Sequence, residues 1–395
     1  MKKSIEKNQE DFEMVAGTFF GMEEILAKEL LKLGAKEVEV RKRAVSFVGD
    51  KGFMYKANLC LRTALKIVVP KHRFLASDEN ELYDKLKAIQ WEDYINTEDS
   101  ILIDSIINSQ HFNHSLFVSQ KAKDAIVDRF RERIGKRPSV DKINPTLKIQ
   151  IHIFKNEVTV SFDSSGDPLF KRGYRLETNL APLNEVLAAG MIIMSGWEPH
   201  IPLLDPMCGS GTVLIEAAML AAQIPAGYFR KSFGFMHWKD FDEGLWDTIF
   251  EACINKISNK EVVLTGLEIS ANVCKKAKEN IKHAKLDEEI QIVNKSFFDY
   301  VPDKQRGTII LNPPYGERMT KEVDLNELYK NIGNKLKKDF TGFDVWIISS
   351  NMEAIKQIGL KPSKKINLFN GSLECKFMKF EMYSGSKKAS KQKPE

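Results

Sequence analysis

Two short stretches of this chain have the residue types and spacing to do chemistry. The first is Asp205-Pro206-Met207-Cys208-Gly209-Ser210-Gly211-Thr212, which follows a short apolar run and leads into a helical one. Glycines at such a junction let the backbone approach a ligand closely. The free N–H groups of the new helix then face an anionic group. The dinucleotide fingerprint asks for a third glycine, and Leu214 stands there instead, so a pyrophosphate is not the favoured anion. The carboxylate of an amino acid, as in S-adenosylmethionine, fits a shorter loop, with Asp205 beside the ammonium or the sulfonium. The next strand-like run ends at Glu268, where a carboxylate accepts hydrogen bonds from two ribose hydroxyls. A surface glutamate capping the helix that starts at Ser270 is the plainer alternative.

The second stretch is Asn312-Pro313-Pro314-Tyr315, after the apolar run Thr308–Leu311. A proline pair cannot continue a strand and removes two backbone donors. Its carbonyl groups remain as acceptors, and Asn312 adds a side-chain carbonyl. Two converging acceptors suit a donor with two hydrogens, an aromatic amino group. Tyr315 offers a face on which a base can stack. The plainer reading is a rigid turn. The apolar strand before it and the glycine pair in the same region favour the chemical one.

These stretches need elements to hold them. The chain has 395 residues, 43% apolar and 10% aromatic, with 59 Lys+Arg against 54 Asp+Glu and a net charge of +5. That excludes a largely disordered chain and permits a nucleic-acid partner without demanding one. The scattered Cys60, Cys208, Cys253, Cys274 and Cys375 argue against a disulfide scaffold or a cysteine zinc site. His111, His114 and His237 lack metal-ligand spacing, so no metal is expected. The polar start to Phe12 predicts no signal peptide, and no run reaches the ~18 apolar residues of a membrane span. A cytoplasmic protein is expected.

From residue 12 to 75 the runs read β-α-β-β-α-β, a ferredoxin-like order. From 76 to 164 the pattern predicts a helix at Leu82–Ile89, a strand at Ile101–Ile107, a helix at Val118–Ile134 and a hairpin around Lys155-Asn156. From about 165 to 384, strand and helix alternate, which predicts an α/β doubly wound parallel sheet. The gap between Gly211 and Glu268 requires an insertion over roughly 224–260, with Trp238, Phe241 and Trp246 as local core. The Lys- and Ser-rich residues 385–395 are expected to be disordered.

Together, Asp-Pro-x-Cys-Gly-Ser-Gly-Thr and Asn312-Pro313-Pro314-Tyr315-Gly316-Glu317-Arg318 resemble the amino-group methyltransferases that use S-adenosylmethionine. Lys171-Arg172-Gly173-Tyr174-Arg175 and Ala181-Pro182-Leu183-Asn184-Glu185 look like the ribosomal RNA guanine-N2 branch. The second region, from Ser119-Gln120 to Lys136-Arg137-Pro138-Ser139-Val140-Asp141, is similar to a THUMP domain. The resemblance is thus to the THUMP-domain 23S rRNA (guanine-N2) methyltransferase family, over about residues 12–383. It implies a Rossmann-like catalytic domain at 165–384, behind a ferredoxin-like unit at 1–75 and a THUMP-like domain at 76–164.

As the resemblance has it, Asn312, Pro313, Pro314 and Tyr315 are catalytic. Asp205, Gly209, Gly211, Thr212 and Glu268 hold S-adenosylmethionine. The family carries an acidic residue near the adenine after the third strand. Ser296, before Phe297, stands at that position here, so these two residues or a backbone amide are expected to replace it. Some relatives carry a second methyltransferase domain. With one glycine turn and one Asn-Pro-Pro-Tyr, no second activity is expected.

Between Lys121 and Lys148 there are nine Lys/Arg against four Asp/Glu. Basic residues at a helix end also stabilise the helix dipole, so composition leaves RNA binding open. The THUMP likeness implies that Lys121, Arg129, Arg133, Lys136 and Arg137 bind ribosomal RNA, with no membrane and no obligate protein partner. Three alternatives remain. They are an adenine-N6 methyltransferase on DNA or RNA, a non-catalytic RNA-binding ribosome assembly factor, and an NAD-dependent dehydrogenase that would leave Asn312–Tyr315 without a role.

Overall fold

The computed structural model describes residues 10–176, 183–315 and 324–382. They form two compact units whose segments are not contiguous in sequence. One holds 10–18, 27–171 and 230–253. The other holds 19–26, 172–176, 183–229, 254–315 and 324–382. Among the described residues no helix is long and apolar enough to cross a membrane. The segments 181–182, 316–318 and 385–395, singled out above, lie outside the described residues.

In chain order the first elements are β1 (Phe12–Gly17), α1 (Glu23–Leu33), β2 (Lys36–Arg41), β3 (Ala44–Gly49), α2 (Lys51–Cys60) and β4 (Lys66–Leu75), the expected β-α-β-β-α-β. Then come α3 (Glu79–Ala88), β5 (Ser100–Asn108), α4 (Ser115–Ile134), β6 (Ser139–Val140), β7 (Leu147–Phe154) and β8 (Glu157–Asp163). The strands make one sheet in the order β2-β3-β1-β4-β8-β7-β5-β6. Its continuity comes from β4, ten residues long. The start of β4 pairs with β1 (Ile67 opposite Ala16), and its remainder pairs with β8 (Phe74 opposite Val158).

Alternation sets the core. Leu147, Ile149, Ile151 and Ile153 of β7 join Val158, Val160 and Phe162 of β8 against Val118, Ala122, Ile126 and Phe130 of α4. The α4 N-terminus is capped by His114, whose ring nitrogen accepts from the Phe117 amide at 3.3 Å. Ile134, expected on the same apolar stripe, is 50% exposed, because the whole last turn of α4 faces solvent.

The remaining elements are α5 (Glu185–Ser195), β9 (Leu203–Asp205), α6 (Thr212–Ala221), α7 (Glu243–Ile254), β10 (Leu264–Glu268), α8 (Ala271–His283), β11 (Ile290–Asn294), β12 (Gly307–Leu311), α9 (Leu325–Asp339), β13 (Phe343–Ser349), β14 (Lys364–Asn370) and β15 (Leu373–Glu381). The second sheet runs β11-β10-β9-β12-β13-β15-β14. Its first five strands are parallel, and the order reverses between β9 and β12, where open α/β sheets bind ligands. The purely parallel expectation needs correction, since β15 is antiparallel to both β13 and β14. A hairpin added at an edge needs no crossover helix, so strand–helix alternation does not announce it.

The insertion also has an unexpected address. Residues 230–253 pack in the first unit rather than beside the strands that flank them in sequence. Phe235 stacks on Tyr55 at 4.3 Å and on Phe233 at 5.4 Å, and Trp238 meets Phe162 edge-on at 6.0 Å. The Arg230 guanidinium donates to the carbonyls of Ser165, Asp167, Pro168 and Lys171. Phe235 is 1% exposed. Phe235→Ala is therefore expected to lower the stability of this unit by about 3–5 kcal/mol, read as a shifted urea midpoint. An unshifted midpoint would show that the insertion is not part of this core.

Candidate active site

The site lies at the carboxyl ends of β9, β10 and β12 in the second unit. Ile309 of β12 lies opposite Leu204 of β9, and Gly266 of β10 lies opposite Asp205. Because these strands are parallel, the glycine turn, Glu268 and the Asn312 loop all leave from one edge of the sheet.

Gly209 and Gly211 have φ of +53° and +81°, a left-handed backbone that favours glycine. A Cβ on Gly209 would meet no atom of the described residues within 4 Å, so among them that side of the turn is open. Gly266 serves packing instead. A Cβ there would lie 2.6 Å from both Leu214 and Ile292 and 2.9 Å from the Cys208 sulfur. Among the described residues no side chain caps the start of α6, which leaves its first N–H groups available to an anion.

Asp205 is buried, with one oxygen accepting from the Met207 amide at 3.3 Å. Burial raises its carboxyl to about 7, against the pull of the Met207 amide and with a further push from Glu268. Glu268 is half-buried and uses one oxygen to hold the Ser270 amide at 2.8 Å. Ser270 itself caps α8.

Residues 172–176 brace the turn from behind. The Arg172 guanidinium and the Tyr174 hydroxyl both reach Glu216 Oε1, at 3.4 and 3.1 Å, and all three side chains are buried. Removing either charge would leave the other buried without its partner. Arg175 pairs with Glu185 at 2.8 Å and donates to Thr212 Oγ1 at 3.0 Å, while its Nη1 is buried with no hydrogen-bond partner among the described residues. Asn280 of α8 accepts from the Leu176 amide and donates to the Ser210 carbonyl.

Asn312 Oδ1 is likewise buried and has no hydrogen-bond partner among the described residues. The loop around it is tethered. Tyr329 Oη donates to the Pro314 carbonyl at 3.4 Å and shares a hydrogen bond with Ser349 at 2.9 Å. Asn370 Nδ2 donates to Tyr315 Oη at 2.9 Å. An orphaned acceptor beside an open glycine turn fits a ligand that brings an N–H donor.

Ser296 and Phe297 stand after β11, but their side chains are occupied locally. Ser296 Oγ accepts from the Phe298 amide at 3.2 Å, and the Phe297 ring packs in the core 5.5 Å from Phe340. The ring this turn offers outward is Phe298, 38% exposed. Glu216, Asn280, Tyr329 and Asn370 were missed in sequence, and Glu185 was noted only as part of a motif, without a role. Glu216 had a signal, since a lone charge in the apolar helix Thr212–Ala221 requires a buried partner.

The basic stretch lies in the first unit. Arg133, Lys136 and Arg137 are exposed at the end of α4, and Lys121 sits 5.2 Å over the Tyr83 ring. Arg129 is a correction. It is 5% exposed, with Nε on both Glu92 oxygens at 2.9 and 3.0 Å and Nη1 on the Lys87 and Ala88 carbonyls. Its charge is consumed inside the fold. No group of three or more His, Cys, Asp and Glu suited to a metal occurs among the described residues.

Comparison with known proteins gives three family matches. Residues 13–68 match an RlmL ferredoxin-like domain, 76–163 a THUMP domain, and 172–379 an RMKL-like methyltransferase domain. A Synechocystis protein named as a candidate RNA methyltransferase is 36% identical over 92% of this chain and 95% of its own length. A ribosomal RNA large subunit methyltransferase K/L of Syntrophotalea carbinolica is 36% identical over 92% of this chain, which spans only 52% of that protein. The crystal structure of SMU.472, a candidate methyltransferase with bound S-adenosylhomocysteine, superposes with a TM-score of 0.84 at 29% identity. The match covers 95% of this chain and 99% of that one.

A cationic ligand at this turn favours the ionised form of Asp205. Below a carboxyl pKa of about 7 its binding must expel a proton, so affinity falls as pH drops and levels off above 7. Calorimetric titration with S-adenosylmethionine should show affinity rising with pH by up to about tenfold per unit below 7. Asp205→Asn should flatten that profile, and an equally steep profile in the variant would exclude Asp205 as the source.

Proposed function

This chain belongs to the RMKL-like methyltransferase family, and from that premise we propose that it methylates the exocyclic N2 of a guanosine in large-subunit (23S) ribosomal RNA. The observation that carries the reading is the buried Asn312 Oδ1, without a hydrogen-bond partner among the described residues, at the end of the strand beside the glycine turn. S-adenosylmethionine supplies an electrophilic methyl group on a sulfonium. The residues present fit it. Arg175 Nη1 and the uncapped start of α6 at Thr212 would receive its carboxylate, Asp205 its positive charge and Glu268 its ribose. Gly209 leaves room for it, and Gly211 supplies the left-handed turn into α6.

Asn312 Oδ1 and the Pro313 carbonyl accept the two hydrogens of the target amino group and aim the nitrogen lone pair. Pro313 and Pro314 keep those acceptors stiff. Tyr315 stacks on the extruded base. No strong base is required, because the methylated amino group sheds its proton readily to water. Alignment supplies most of the rate.

The chain divides on this reading into a ferredoxin-like unit to residue 75, a THUMP-like RNA-binding domain over 76–164 and the methyltransferase domain over 165–384. Lys121, Arg133, Lys136 and Arg137 contact RNA phosphates, and Arg129 serves the fold. The likeness to the K/L proteins supports ribosomal RNA over DNA as the substrate, and guanine as the base rests on the motif resemblance.

Mapping modified nucleosides in ribosomal RNA from cells with and without this chain tests the proposal. N2-methylguanosine should disappear with the chain, and loss of N6-methyladenosine instead would identify the wrong base. Asn312→Ala should abolish transfer, by at least about a hundredfold, while leaving the S-adenosylmethionine dissociation constant within about twofold. Arg133→Ala and Lys136→Ala should each weaken RNA binding and reduce its salt slope by about 1. An unchanged slope removes these residues from the interface.

A further inference from the structure

Tyr315 is held from outside its own loop. Its phenol oxygen receives the Asn370 amide at 2.9 Å, and the Cys375 sulfur lies 4.0 Å away. Asn370 ends β14, and Leu373 stands opposite it across a turn in which Gly371 has φ +63°.

That hairpin is rigidly placed. β15 pairs with β13 from Asp344 opposite Glu381 to Ser349 opposite Lys376. On β14, the Asn367 carbonyl lies where a Cβ on Gly21 would come within 2.5 Å, and Phe20 meets the Phe369 ring edge-on at 5.9 Å. Tyr329 fixes the loop backbone at Pro314, which leaves the pitch of the Tyr315 ring to whatever holds its far end. Burial keeps the phenol neutral by pushing it well above its usual range, so it stays a neutral partner for the Asn370 amide. A stacking ring needs only its face. The hydroxyl that distinguishes tyrosine from phenylalanine is engaged here by the hairpin.

We propose that Asn370 is a positioning residue for the target base, setting the tilt of the Tyr315 ring through its hydroxyl and making the β14–β15 hairpin part of the acceptor site. This rests on the reading of Tyr315 as the stacking platform. A mis-tilted ring displaces the amino group from the methyl, which lowers the rate of transfer and not the affinity for the methyl donor.

The test compares wild type, Asn370→Ala, Tyr315→Phe and the double variant on unmodified 23S rRNA. Each single change should lower kcat on the order of tenfold with KM for S-adenosylmethionine unchanged. The double variant should be no slower than the worse single, since both remove one bond. If Asn370→Ala does not fold, Tyr315→Phe removes the same bond with the hairpin intact, and its kcat decides. Full kcat in either single variant, multiplying losses in the double, or an equal rise in the KM for S-adenosylmethionine overturns the proposal. Wild type with no transfer to RNA overturns the reading of the reaction instead, and this proposal with it.

Discussion

Parallel pairing of β9 with β12 is the constraint from which the site follows. Parallel neighbours end at the same edge, so whatever each strand carries at its carboxyl end is delivered to one place. Here that brings together a glycine turn and an Asn-Pro-Pro-Tyr loop that are remote in sequence. The reversal of strand order at this pair opens the crevice between them. A buried hydrogen-bond acceptor with no partner among the described residues, as Asn312 Oδ1 is, carries a desolvation cost that a donor would relieve.

The turn's geometry depends on charges that never meet solvent. Arg172 and Tyr174 converge on Glu216 inside α6, while Arg175 joins Glu185 to the first residue of the same helix. Buried ion pairs are weak contributors to net stability but strict about geometry. This network fixes where α6 begins, and so where its free N–H groups point. The second tether, through Asn280, adds the Ser210 carbonyl to the same frame.

In the first unit, opposite fates await neighbouring cations on one helix. Arg129 faces the core and is neutralised by Glu92, whereas Arg133 lies in the last turn of α4 in solvent and Lys136 beyond its end. Four residues return nearly to the same face, so what separates Arg129 from Arg133 is that α4 outruns its core before Arg133.

Much was legible in the residues themselves. Hydrophobic periodicity marked α3, α4 and the β7–β8 hairpin, because burial on one face imposes a repeat that sequence must carry, while α5 and α7 were not read as helices. The glycine turn was readable because a left-handed backbone at Gly209 and Gly211 favours that residue type. What sequence could not decide was partnership at long range. Phe297 looked like a ligand contact and Arg129 like an RNA contact until burial and neighbours were known. The β14–β15 hairpin, and the packing of residues 230–253 in the first unit, were likewise set only by tertiary structure. Local patterns fix what a segment is, since they act through the backbone and adjacent side chains. Which distant group satisfies a buried charge, hydroxyl or ring depends on the whole chain closing around it.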